Sequence, residues 1–143
     1  HVSIESMQSI YSTGRMHYTQ GPLRMSIVRN RWRPPFTGRT LYEDCSSGVT
    51  AHDWLAGNPD PNGLGYPGEG YTGTLAVHGI RTSSPVLGAL GFFGAGWPYN
   101  HVVRCVGFRS DGTPLVWSHG HEGDPSIRAG SYGRLDFSHW RRY

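Results

Sequence analysis

The chain has 143 residues, a length that suits one domain built around a single hydrophobic core. Hydrophobic residues make up 36% of it, and its 21 glycines and 10 prolines favour a loop-rich α+β domain over a helical bundle. No apolar run approaches the roughly 18 residues that a membrane span needs, so we expect no membrane insertion. No signal segment is recognised at the N-terminus.

The formal net charge is +3, and all 13 basic residues are arginine. Arginine-only usage is typical of a GC-rich coding genome, and the planar guanidinium also forks onto carboxylates and phosphates. The mild positive charge favours an anionic polymer as partner, such as a cell wall or a nucleic acid. Because the arginines are scattered and no recognition motif is present, we expect no nucleic-acid role.

In chain order, apolar residues at helical spacing predict a first helix over residues 2–11. The segment 12–42 is Arg-rich and irregular, and its short apolar piece 25–28 is compatible with a helical turn or an edge strand. A second helix is predicted over 45–56, with Asp44 as N-cap and Gly57 as C-terminal stop. Its predicted apolar face comprises Val49, His52, Leu55 and Ala56.

A glycine-studded loop follows over residues 58–73 and carries two tyrosines. Loops of this length are usually functional or disordered, and the aromatics favour an ordered wall of a binding cleft. Residues 74–80 fit a short helix or strand. Strands are predicted at 86–93, 101–108 and 115–119, with Asp111-Gly112 as the hairpin turn between the last two, and a final strand near 134–137.

Cys45 stands at the predicted start of the second helix, where unpaired N–H groups and the helix dipole favour a thiolate. His101 opens a strand, and His119 closes the strand that returns from the hairpin. The two imidazoles should therefore lie near the same end of a sheet, one as base toward Cys45 and the other orienting it. Cys105 is predicted to be a second free thiol, buried and apolar in character.

Three sequence blocks resemble the NlpC-type peptidoglycan cysteine peptidases: Asp-Cys-Ser-Ser at 44–47, His-Val-Val at 101–103 with Val-Gly at 106–107, and Ser-His-Gly at 118–120. The loop 58–75, with Pro-Asp-Pro-Asn-Gly and Gly-Tyr-Thr-Gly, is similar more narrowly to catalytic domains of endolysins from phages of actinobacteria. The resemblance covers about residues 40–122. It implies a papain-like α+β fold, with a central antiparallel sheet and the Cys45 helix packed against it.

The resemblance also implies an activity, namely hydrolysis of amide bonds in peptidoglycan stem peptides, typically between D-Glu and diaminopimelate. Cys45 would be the nucleophile, His101 the general base and later acid, and His119 the residue that orients His101. The backbone N–H of Cys45 is a candidate oxyanion donor, with Tyr18 or Tyr42 beside it. The other candidate substrate-binding residues are Asp44 (foremost a helix cap), Ser46, Tyr66, Tyr71 and Trp97.

Further expectations come with this interpretation. The protein would be a monomer that uses no cofactor and no metal, and residues 1–143 would be one catalytic domain excised from a larger lysin. It would remain in the host cytoplasm until release to the wall.

Three alternatives stay open at the level of sequence. One is a CHAP-type amidase, which also uses a Cys nucleophile and a His base but cuts between muramic acid and L-Ala. A zinc site could form from His119 and His121 with His101 or Asp124, although it would leave the Asp-Cys-Ser block unexplained. A non-catalytic wall-binding module could stack aromatic residues on sugars.

Overall fold

The computed structural model describes residue 7, residues 15–120, 124–129 and 136–143. Over these residues the chain is a mixed α+β structure with a six-stranded antiparallel sheet and a few helices. The strands are β1 Arg15–Tyr18, β2 Thr40–Glu43, β3 Ile80–Thr82, β4 Leu90–Phe93, β5 His101–Phe108, β6 Pro114–Ser118, β7 Ser126–Ala129 and β8 Phe137–Arg142. The helices are a 3₁₀ turn Pro22–Met25, α1 Ser26–Arg29, α2 Cys45–Ala56 and α3 Thr72–Leu75.

The large sheet has the strand order β3-β8-β4-β5-β6-β7, and every pairing in it is antiparallel. Its centre is the predicted hairpin, in which Arg104 of β5 pairs with Trp117 of β6 and Gly112 lies in the turn with φ +87°. The predicted hairpin is confirmed, and Gly112 supplies the left-handed conformation in its turn. Within the described residues, no helix has the length and apolar character to cross a bilayer.

The helix α2 begins and ends where the sequence predicts. The Asp44 carboxylate accepts from the Ser47 N–H at 2.9 Å, and the Asp44 N–H donates to the Ser47 hydroxyl at 2.8 Å, which completes a capping box. Gly57 has φ +76° and ends the helix in the left-handed conformation.

The burial of α2 differs from the single apolar face that the sequence predicts. Cys45 to Asp53 are all buried, whereas Leu55 is half-buried and Ala56 is exposed. The cause is that this short helix is enclosed both by the sheet and by the N-terminal segment, so polar positions are covered as well.

Two core clusters position α2. On one side Cys45 and Val49 pack with Phe92, Val102 and Trp117 of the sheet. On the other side Ala51 packs with α1 and β2 through Ile27, Val28, Phe36 and Leu41. A buried ion pair between Arg104 of β5 and Asp53 ties the C-terminal half of α2 to the sheet.

Several predicted elements are shifted or resolved by the structure. Residues 25–28 are helical, so of the two structures compatible with the sequence, a helical turn and an edge strand, the helical turn is the one observed. The strand predicted at 86–93 is limited to β4, because Val86 and Leu87 are half-exposed in a turn before it. The strand predicted near 134–137 corresponds to β8, which begins at Phe137. The helix predicted over 2–11 lies outside the described residues, except for Met7, which is helical and buried.

The loop 58–73 is ordered by its own polar contacts. Asn62 is fully buried, and its amide donates to the Thr50 hydroxyl of α2 at 2.9 Å while its oxygen accepts from the Thr74 hydroxyl at 2.7 Å. The Asp60 carboxylate accepts from the backbone N–H groups of Asn62 and Tyr66. These contacts hold the loop against α2, so α3 reaches the N-terminal end of that helix.

Candidate active site

Cys45 is the first residue of α2 and is only 6% exposed. Its sulfur lies 4.0 Å from the Thr72 hydroxyl at the start of α3. Cys45 also belongs to the same core cluster as Val102 of β5, whose backbone N–H helps to lower the pKa of the thiol. Val102 directly follows His101 on β5. The fold thus brings the predicted nucleophile to the beginning of the strand that carries the predicted base.

Burial raises the pKa of the Cys45 thiol to about 11, and the negative charge of Asp44 adds to the effect. The hydrogen bonds from Val102, Thr72 and Ser46 act in the opposite direction but are outweighed. The sequence-based expectation that the helix N-terminus alone favours a thiolate is therefore incomplete. A thiolate at this position needs a base that takes the proton and then remains nearby as a compensating cation.

His101 is 7% exposed, and its Nε2 lies 2.9 Å from the hydroxyl of Ser118 at the end of β6. Its ring packs beside Phe93 at 5.7 Å between centroids. One ring nitrogen is thus engaged by a fixed hydroxyl, which restricts rotation of the imidazole about its side-chain bonds. Ser118 is a functional candidate that sequence reasoning missed, although it stands in the Ser-His-Gly block beside His119.

His119 is placed differently from the expectation that it orients His101. It is fully buried, and its Nδ1 lies 2.8 Å from Oε1 of Glu43, the last residue of β2. Ser118 is the last residue of β6, and His119 directly follows it, outside the strand. The residue that contacts Nε2 of His101 is Ser118. The ring of His119 makes edge-on contacts with the rings of Tyr18 and Trp117.

Arg24 is a second residue that sequence reasoning missed. Its Nε donates to the Asp44 carboxylate at 2.9 Å, and its Nη2 donates to the Ser46 hydroxyl and the Gly70 carbonyl, each at 2.8 Å. Asp44 and Ser46 flank Cys45 in the chain, so this one guanidinium connects the N-terminal segment, the start of α2 and the glycine-rich loop. Asp44 and Ser46, expected to bind substrate, are thus engaged in this internal network.

Tyr71 and Trp97 form an exposed aromatic wall next to Thr72, which contacts the Cys45 sulfur. Their rings meet edge-on at 6.4 Å, and the Trp97 indole N–H donates to the Gly73 carbonyl at 3.0 Å. Trp97 is 60% exposed and Tyr71 43%, so both have free ring surface available for a ligand. The structure places these two expected binding residues together at the candidate site.

Tyr66, the other aromatic residue expected to bind substrate, lies elsewhere. Its ring packs on Trp54, and its hydroxyl donates to the Asn58 carbonyl at 2.7 Å, beyond the C-terminal half of α2. Burial raises the pKa of Tyr66 above its usual range, and the carboxylates of Asp53 and Asp60 add to this. Its contacts are those of a structural residue that closes the loop onto the helix.

The two tyrosines considered for the oxyanion side differ in their surroundings. Tyr18 is paired with Glu43 in the β1–β2 register, and its ring contacts His119 at 5.4 Å. Tyr42 alternates to the other face of β2, where it contacts His17. Of the two, Tyr18 is the one that belongs to the buried cluster behind the start of α2.

The remaining chemical features lie apart from Cys45. Cys105 is a free, buried thiol, as predicted, and burial raises its pKa. A cavity of about 600 Å³ lies at the C-terminal end of α2, lined by residues that include Asp53, Asp60 and Tyr143. In the part of the chain that the structure describes, no three metal-ligating side chains converge, and His121 of the alternative zinc site lies outside that part.

Comparison with known proteins adds no family assignment to this geometry. No protein-family model matches the chain. A search of curated proteins finds no match either. The candidate site therefore stands on the arrangement of Cys45, His101, Ser118 and Thr72 within an α+β fold.

Proposed function

We propose that this chain is a cysteine peptidase of papain-like, NlpC-type architecture that hydrolyses amide bonds in the stem peptides of peptidoglycan. The observation that carries the proposal is the packing of Cys45, the first residue of α2, in one core cluster with Val102, which directly follows His101 on β5. The hydrogen bond between Nε2 of His101 and the Ser118 hydroxyl supports it further. In this proposal Cys45 is the nucleophile, His101 the base and Ser118 the group that holds the base, and the three residues come from three separate elements.

The mechanism follows from the protonation chemistry of the pair. His101 takes the proton of the Cys45 thiol, and the thiolate attacks the carbonyl carbon of the scissile amide. The oxyanion of the tetrahedral intermediate accepts from the Cys45 backbone N–H at the unpaired start of α2. The imidazolium then protonates the leaving amine, and water hydrolyses the thioester with His101 again as base.

The raised pKa of Cys45 fits this sequence of steps. A thiolate isolated in this buried position is unfavourable. Transfer of the thiol proton to the His101 imidazole would instead leave a thiolate–imidazolium pair with no net charge. The reactive state therefore depends on His101 in addition to the helix. Ser118 supports it by fixing the ring through the nitrogen that it contacts.

The substrate class rests on the sequence resemblance together with the wall of Tyr71 and Trp97. A half-exposed aromatic pair beside the nucleophile suits an extended ligand with apolar faces and polar edges, such as a peptide attached to sugars. We propose the bond between D-Glu and diaminopimelate as the scissile bond. The protein would act as a monomer without a cofactor, after release from the host cytoplasm to the wall.

The test is digestion of purified peptidoglycan followed by mass spectrometry of the released fragments. We expect a new amine on diaminopimelate with the parent, none with Cys45→Ala, and undiminished release with Cys105→Ala, the matched control for loss of a buried thiol. A new amine on L-Ala instead would identify the CHAP-type amidase specificity. Wall binding without cleavage of any bond by the parent would refute the enzyme and leave a binding module.

A further inference from the structure

A patch of three arginines and two tryptophans covers the side of the molecule formed by the N-terminal segment and the end of α2. We call it the Arg–Trp patch; its members are Arg31, Trp32, Arg33, Arg39 and Trp54. The Arg31 and Arg33 guanidiniums lie over the Trp54 ring at 5.2 and 4.2 Å from its centroid, and Arg39 lies over Trp32 at 4.0 Å. The two tryptophans are linked because the Trp54 indole Nε1–H donates to the backbone carbonyl of Trp32.

The rings are anchored and the cations are exposed. Trp32 and Trp54 are partly buried against the core cluster that includes Ile27 and Phe36, whereas all three arginines are exposed. Stacking on an anchored ring holds a guanidinium in place by its face and leaves its N–H edges directed outward. The patch thus presents fixed donors whose conformational entropy has already been reduced before any ligand binds.

The charge of the patch is not balanced locally. Between Glu5 and Glu43 the sequence has six arginines and no acidic residue. Among the described residues the ion pairs are Arg24–Asp44, Arg104–Asp53 and His119–Glu43, so none involves an arginine of the patch. Neighbouring positive charges without counter-charges repel each other, and an anionic ligand would relieve that repulsion.

The backbone at Arg31 gives an independent indication. Arg31 has φ +54°, a left-handed conformation that usually falls to Gly or Asn at the end of a helix. An arginine here carries backbone strain that a glycine would avoid, yet its position sets the guanidinium over Trp54. The strained backbone conformation therefore occurs at a residue whose side chain belongs to the patch.

We propose that the Arg–Trp patch binds phosphate-bearing anionic polymers of the bacterial wall, and so holds the enzyme on its insoluble substrate. The proposal rests on the proposed function for the choice of a wall partner, while the phosphate chemistry follows from the forked, exposed guanidiniums. The patch is separate from the candidate active site, since Trp54 lies nine residues along α2 from Cys45. A ligand bound at the patch therefore does not need to occupy the exposed rings of Tyr71 and Trp97.

The test uses the full chain with Cys45→Ala, so that binding is measured without cleavage. Sedimentation with purified sacculi is compared before and after hydrofluoric acid removes phosphate-linked polymers. The patch variant is Arg31→Gln with Arg33→Gln and Arg39→Gln. Its matched control is Arg81→Gln with Arg109→Gln and Arg142→Gln, which are exposed and outside the patch. Each triple change lowers the formal net charge from +3 to 0.

We expect binding to intact sacculi to weaken roughly tenfold or more in the patch variant and much less in the control, with a steep salt dependence in the parent. Equal loss in both triple variants would overturn the proposal, because it would show a net-charge effect only. Undiminished binding to acid-treated sacculi would also overturn it. So would stronger binding, at equal phosphate, to duplex DNA or to phosphatidylglycerol vesicles.

Two further measurements keep the outcome clear. If circular dichroism shows that the triple patch variant does not fold, the double variant Arg31→Gln with Arg39→Gln replaces it. This double variant keeps Arg33, which among the three arginines also donates to a backbone carbonyl, that of Trp54. Cleavage of acid-treated sacculi by the parent is measured separately. Binding that depends on the patch, without any cleavage, would refute the proposed enzyme but support the patch as a binding site. Cleavage with binding that does not depend on the patch would support the enzyme and refute the patch.

Discussion

Oε1 of Glu43 lies 2.8 Å from Nδ1 of His119, and both side chains are almost completely excluded from solvent. Glu43 stands two residues before Cys45, and His119 stands one residue after Ser118. This buried contact therefore connects the strand that leads into the nucleophile helix with the strand end that holds the His101 ring. It gives His119 a structural role that differs from the one expected from sequence.

The Glu43–His119 contact predicts a coupled loss of stability and activity. We expect Glu43→Gln to lower the free energy of unfolding by about 2 kcal/mol, since it replaces one partner of a fully buried hydrogen bond and leaves the His119 ring without a matched partner. Urea denaturation measures this, with Glu69→Gln as the exposed control. Hydrolysis by the folded variant should also fall, because the two halves of the site are less firmly joined. Unchanged stability would show that the contact is unimportant.

The hydrogen bond between Ser118 and His101 predicts a specific kinetic effect. Ser118→Ala should lower kcat roughly tenfold with little change in KM, which is the size expected for one hydrogen bond of about 1.4 kcal/mol. The matched control is Ser126→Ala, because Ser126 pairs with Ser118 in the sheet but its hydroxyl accepts from Arg128. Steady-state kinetics on a soluble stem peptide decides the matter, and an equal effect of both changes would contradict a role in holding the imidazole.

The close packing of α2 on the sheet predicts that Gly48 tolerates no side chain. A Cβ at this position would overlap the Trp117 ring and lie 2.7 Å from the Glu43 carboxylate. Alanine is the better helix former by about 1 kcal/mol, yet we expect Gly48→Ala to destabilise by about 1–3 kcal/mol because overpacking outweighs propensity. Thermal denaturation measures the difference, with Gly96→Ala as the control in open space. A stabilised Gly48→Ala protein would show that the helix can move away from the sheet.

Local signals in the sequence were sufficient for some of these features. The cap at Asp44, the stop at Gly57 and the Asp111-Gly112 turn are encoded by neighbouring residues, so α2 and the first strand of the hairpin could be predicted with their bounds. The second strand, β6, begins and ends one residue earlier than predicted. The sequence also predicted that Cys45 and Cys105 are free thiols, and the structure confirms this.

The missed features depend on contacts between residues far apart in the chain. Arg24 reaches Asp44, Ser46 and Gly70, a relationship that no spacing rule in the Arg-rich segment could indicate. The choice between Ser118 and His119 depends on where β6 ends and on the contact of His119 with the distant Glu43, neither of which the sequence spacing reveals. The raised pKa of Cys45 likewise comes from burial by the sheet and α3, whereas the sequence shows only the helix start.

The central claim is that the Cys45 thiol and the His101 imidazole act as one pair, and the pH dependence of thiol alkylation tests it most directly. Burial raises the pKa of the Cys45 thiol to about 11, so without proton transfer to His101 roughly one thiol in ten thousand would be thiolate at pH 7. Its alkylation would then rise about tenfold per pH unit up to that pKa. Iodoacetamide rates are compared in a Cys105→Ala background, so that Cys45 alone reports. We expect fast alkylation with a plateau near neutral pH in that protein and in its His78→Ala variant, whose imidazole is exposed. With His101→Ala we expect the plateau to be replaced by a steady rise toward high pH, whereas superimposable profiles with and without His101 would contradict the pairing.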